Sequence, residues 1–147
     1  MRERQKIGQL GKILKLEKQK MDQLVAKLNQ HILLVNQNSV RLQRLRDSLE
    51  TQFSSDSAGP NSVWSLSQNS TFLQRIQSNI LTTESERTDL NQKLDQCRQA
   101  LGNQRSRVKA VEEMIMLAKR QLDQRLTQAE ELELNDTVIN KLFEVES

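Results

Sequence analysis

From Ile7 onward, every seventh residue of the chain's first third is apolar: Ile7, Leu14, Met21, Leu28, Val35, Leu42 and Leu49. Alternating steps of three and four fill a second row between them. Ten of the thirteen positions so reached, from 7 to 49, are apolar, the exceptions being Glu17, His31 and Asn38. A period of 3.5 residues marks a coiled-coil seam and imposes a left-handed supercoil. A chain patterned this way needs a second stripe of the same kind.

That stripe lies further along the same chain. From Leu73 the same count runs to Phe143 without a slip, and sixteen of its twenty-one positions are apolar, broken only by Thr83, Arg87, Gln104, Arg125 and Asp136. Between the two seams stands "SSDSAGPNSVWSLSQNS", residues 54–70, with the only proline, Pro60, and the only tryptophan, Trp64. Gly59-Pro60 cannot continue a helix. Asn69, Ser70 and Thr71 are suited to cap the next one. Two seams in one chain bury each other as a hairpin. The expectation is therefore all-α: a long two-helix antiparallel coiled-coil hairpin with unequal arms, a single coiled-coil domain over 1–147. Helix 1 is expected at about 4–52, the turn at 53–68 and helix 2 at about 69–143.

Placing Leu49 opposite Ile76 sets Leu45 by Ile80, Leu28 by Cys97 and Ile7 by Ala118, and lays Asn38 beside Arg87. Helix 2 then runs on alone for about 25 residues at the usual helical rise. That overhang carries Leu122, Leu126, Ala129, Leu132, Ile139 and Phe143. An apolar stripe with no intramolecular partner reads as a binding surface. At the other end Trp64 is expected to fold back on Phe53 and Phe72, or to serve as a docking knob.

Composition closes off other classes. Aromatics are 3% of the chain, glutamine occurs 18 times and the formal charge is only +3. The arginine clusters at 41–46 and 105–107 are not interleaved with aromatics, which argues against nucleic acid as a partner. One cysteine, Cys97, excludes an internal disulfide and fits a reducing compartment. Apolar runs such as "ILLV", residues 32–35, and "MIMLA", residues 114–118, are too short for a signal peptide or a membrane span. The chain reads as soluble and cytosolic, without direct membrane insertion. No phosphate loop, metal-ligand spacing or nucleophile–base pair is present. His31 and Cys97 fall on seam positions and read as core. Two helices alone offer no concave, water-excluding site, so no catalytic residue, cofactor or metal is expected and the chain is not read as an enzyme.

The two termini are charged in opposite senses. Residues 1–20 hold seven Lys/Arg against Glu3 and Glu17, and residues 130–147 hold six Asp/Glu against Lys141. Each sign is the reverse of what the helix dipole favours.

"NSTFLQRIQSNIL" (69–81), a Phe followed by Leu/Ile and spaced aliphatics after a Ser-rich turn with a Trp, resembles the start of the second helix in the flagellar export protein FliJ family. The unequal helices and the charged "AEELELND" (129–136) also fit. The resemblance implies a non-enzymatic stalk of the bacterial flagellar type III export apparatus, similar in shape to the central shaft of the rotary ATP synthase. It implies insertion into the hexameric export ATPase, here by Leu122, Leu126, Ala129, Leu132 and Ile139 with Arg2, Arg4 and Lys6 beside them. It implies contact with the membrane-embedded export gate by Leu42, Leu45, Leu49, Phe72 and Ile76. The family is also linked to handling export chaperones, and its place would be the bacterial cytoplasm at the cytoplasmic face of the inner membrane. The other reading is a homo-oligomeric coiled-coil scaffold with no motor partner.

Overall fold

The computed structural model describes the backbone over residues 2–56 and 63–146, and side chains over 2–53 and 68–144. Two α-helices make up the described chain: α1, Arg2–Asp56, and α2, Val63–Glu146. They pair antiparallel along the predicted seams, a hairpin with arms of 55 and 84 residues. All thirteen seam positions of α1 are buried or half-buried. So are those of α2 from Leu73 to Leu122, except Arg87, whose side chain turns out to solvent.

Both helices run further toward the connection than expected. Residues 53–56 and 63–68, read as turn, are helical. Propensity penalties for Ser and Asp are only tenths of a kcal/mol, roughly, against one main-chain bond gained per added residue. Asn69, expected as a cap, sits inside α2 and accepts a hydrogen bond from the Gln52 side chain at 3.2 Å. The Gly59-Pro60 break and the side chain of Trp64 lie outside the described residues.

The contacts group into two compact units: Gln23–Leu101, and Met1–Asp22 with Gly102–Ser147. In the first, Leu42, Ile76, Leu94, Cys97 and Leu101 form the closed apolar core. Two polar residues are buried with them, Asn38 and Thr83. The Asn38 amide donates to the Thr83 carbonyl at 3.1 Å, and the Cys97 thiol donates weakly to the Leu24 carbonyl at 3.8 Å. These pairs fit the expected alignment, which set Asn38 beside Arg87 and Cys97 beside Leu28. In an α-helix the carbonyl of one residue points at the amide of the residue four further on, so the oxygens of Thr83 and Leu24 lie at the layers of Arg87 and Leu28. Only the Arg87 side chain departs from it, turning out so that its charge stays in water instead of in the seam. Arg46 and Glu84 close the flank at 3.2 Å.

In the other unit the core is Leu10, Val108 and Ala118, with Gln104 buried among them. Gln104 donates to the Glu17 carbonyl at 2.9 Å and to the Glu17 carboxylate. The two polar interruptions of the seams thus satisfy each other. Lys18 and Glu112 pair across the helices at 3.8 Å, and Arg125 pairs with Glu3.

Candidate interaction surfaces

A two-helix seam buries each helix on one narrow stripe, so a functional surface must lie where apolar side chains stand off that stripe. The unit formed by residues 1–22 and 102–147 has two such places.

The first is the stretch of α2 after Arg125. Every described residue from 126 to 144 is exposed. It was expected to be about 25 residues long; it is shorter because α1 starts at Arg2 and its Glu3 still reaches Arg125. The predicted contacts Leu126, Ala129, Leu132 and Ile139 are all here and exposed, Leu132 at 64%. Leu122 is not: it is half-buried at the last layer of the seam. Leu134, Val138, Leu142 and Phe143 are exposed beside them. Leu134, Val138 and Leu142 follow one another at steps of four, and Leu132, Ile139 and Phe143 at steps of seven and four. At 100° per residue, the six side chains cover about half the circumference of the helix. Counting only seam positions missed Leu134, Val138 and Leu142; a period of four would have found them.

The second is a flank of the paired segment. Ile13, Leu16, Met114 and Leu117 are each about half exposed. Arg2, Arg4 and Lys6, predicted to sit beside the overhang, are exposed as well. The two acids of residues 2–20, Glu3 and Glu17, are turned inward. Glu3 holds Arg125, and Glu17 takes the Gln104 amide and the Lys20 ammonium at 3.7 Å. Chiefly the Gln104 hydrogen bond, with help from the Lys20 and Arg107 charges, holds the Glu17 carboxyl below its ordinary value. Residues 2–22 and 102–125 together carry thirteen Lys/Arg against six Asp/Glu, whereas residues 126–146 carry six Asp/Glu against Lys141. One segment is strongly basic and its continuation strongly acidic.

The residues assigned to an export gate lie in the unit formed by 23–101, and their placement corrects part of that set. Leu42 is 2% exposed and Ile76 5%, both locked in the seam, and Leu45 and Leu49 are half-buried against it. Seam positions of a paired coil face the other helix and cannot also face a partner. Phe72, 48% exposed, is the member of the set that stands outside. His31 and Cys97 occupy seam positions, as their spacing predicted, beside Leu24, Lys27, Lys93, Gln96 and Ala100. Among the described residues no three His, Cys, Asp or Glu side chains come together to hold a metal ion. No described helix is long and apolar enough to cross a membrane.

Compared with known proteins, residues 5–141 match the family model described as Flagellar FliJ protein. No curated protein and no solved structure matches the chain.

Proposed function

Because the chain belongs to the flagellar FliJ protein family, a group of non-catalytic, coiled-coil components of flagellar protein export, we propose that it works as a stalk of the type III export apparatus. In this reading residues 126–144 of α2 enter the hexameric export ATPase, with Arg2, Arg4 and Lys6 at the entrance. The observation that carries the reading is the width of the overhang's apolar sector. One partner helix covers a narrow seam. A sector half the circumference wide needs walls on several sides at once, and a collar of subunits supplies them. The acids around it, Glu130, Glu131, Glu133 and Asp136, suit a collar lined with basic groups.

The unit formed by 23–101 would meet the export gate, with Phe72 as its exposed apolar contact. Leu42, Leu45, Leu49 and Ile76 then act from behind, by fixing the two helices on which that surface stands. Handling of export chaperones belongs to the same reading. So does a location in the bacterial cytoplasm at the inner face of the membrane. The chain itself would do no chemistry.

The test uses purified hexameric export ATPase and the chain carrying Leu132→Asp with Ile139→Asp. Both side chains are exposed, so helicity by circular dichroism should not change. ATPase capture should fall at least tenfold, the loss expected when two apolar anchors are removed at about 1–3 kcal/mol each. Unchanged capture would mean that this stretch of α2 is not the ring contact.

A further inference from the structure

The overhang's own complement is present in the same molecule. Ile13 and Met114 each stand one residue before an inward seam residue, Leu14 and Ile115. Leu16 and Leu117 likewise precede Glu17 and Ala118. Equivalent positions on the two helices of an antiparallel pair lie on the same flank of the seam. These four exposed apolar side chains therefore share one side of the paired segment, on a floor two helices wide. Lys6, Lys20 and Arg107 stand one heptad away on the same flank.

We propose that this flank binds the overhang of a second copy of the chain, each copy lending its residues 126–146 to the other in a reciprocal two-fold pair. Two independent matches support that occupant. The first is charge: a segment with thirteen Lys/Arg against six acids meets one with six acids against a single lysine. The second is width: a helix apolar over half its circumference fits a groove between two helices, not a single seam. An isologous contact of this kind uses the same two patches twice and closes on itself. The pairing does not depend on the ATPase reading, but it takes up the same surface, so the dimer and the ring-bound form exclude each other. The dimer is then a resting form in which the apolar overhang is covered.

Analytical ultracentrifugation of the full chain tests this. The wild type should shift from monomer to dimer with rising concentration at low salt. Its dissociation constant should rise at least tenfold between roughly 50 and 500 mM salt, over which screening removes exposed charge attraction. Two variants sharpen the test. Lys6→Glu with Arg107→Glu leaves Lys20 as the one cation among the three on this flank, and Glu130→Lys with Glu131→Lys and Glu133→Lys leaves three acids against four lysines in residues 126–146, making the overhang basic. Each variant alone should be monomeric where the wild type pairs, while an equimolar mixture of the two should dimerise again, because both reciprocal contacts regain opposite charge. A wild type that is monomeric up to roughly millimolar concentration, weaker than any specific contact of use, overturns the proposal. So does a variant that dimerises alone, or a mixture that does not. Capture of the export ATPase, measured on the wild type below its dimerisation concentration, is a separate readout. It can fail while pairing stands, and pairing can fail while capture stands.

Discussion

Asn38 donates its side-chain amide to the main-chain carbonyl of Thr83 at 3.1 Å, from a seam position 6% exposed to one that is 1% exposed. Its Oδ1 is buried with no partner among the described residues. The amide thus fixes the alignment of the two helices while leaving one polar atom unsatisfied, which costs about 1–3 kcal/mol. Asn38→Leu should raise the stability of the hairpin by about 1–2 kcal/mol, as apolar replacements of buried polar groups commonly do. The same change should broaden the distribution of spin-label distances between α1 and α2, because the device that selects one register is gone. Thermal unfolding and pulsed dipolar spectroscopy report the two effects separately.

Acid should weaken the unit that contains Glu17. Its carboxyl is held below the ordinary glutamate value of 4.5, first by the Gln104 hydrogen bond and then by the nearby Lys20 and Arg107 charges. A carboxylate with a depressed folded-state pKa contributes stability that is complete above the unfolded value and disappears as pH falls through the folded one. The transition temperature should therefore drop below about pH 4.5, and Glu17→Gln should flatten that part of the profile. An identical acid profile in the variant would assign the loss to other carboxylates.

Gly11 and Gly102 lie inside helices, and a methyl group added at either meets nothing within 4 Å. No packing demand accounts for them. Gly11→Ala and Gly102→Ala should each stabilise the chain by about 0.5–1 kcal/mol, the helix-propensity difference between the two residues. Chemical denaturation should show the midpoint rising with the slope unchanged.

The buried and exposed members of the gate set should separate cleanly. Leu42→Ala opens a hole in the seam and should cost about 2–4 kcal/mol of stability. Phe72→Ala removes an exposed ring and should change stability by less than about 0.5 kcal/mol. If Phe72 meets the export gate, only its variant should lose gate binding at full helicity, as read by titration with the soluble part of the gate protein.

The heptad count alone located the fold, because a seam in an isolated helix pair is the only place for its aliphatic side chains to escape water. Burial at Leu10, Leu42, Leu94 and Leu101 follows it position by position. The alignment was legible as layers but not as bonds. Matching seam positions put Asn38 by Arg87, and the amide reaches the Thr83 carbonyl at that layer while the Arg87 side chain leaves it; carbonyls leave no trace in the identity of the acceptor residue. The interaction surfaces were half legible for a related reason. Counting inward positions found Ala129, Leu132 and Ile139. It passed over Ile13, Leu16, Met114 and Leu117, which stand one step off the count, and over Leu134, Val138 and Leu142, which follow a spacing of four. At the connection, the serines and Asn69 signalled a cap, but Asn69 instead receives Gln52 from the neighbouring helix, so α2 starts earlier.

The bonds from Asn38, Cys97 and Gln104 all end on main-chain oxygens, those of Thr83, Leu24 and Glu17. Every residue offers such an oxygen, whatever its side chain. At the Asn38 and Cys97 layers the information that aligns the two arms is thus carried by donors alone, and the acceptor side chains are free to drift. A mutational scan should find the three donors sensitive and Leu24 and Thr83 tolerant of any side chain that fits, and correlated substitution would trace the match of the arms through pairs such as Arg46–Glu84 and Lys18–Glu112, not through these two layers.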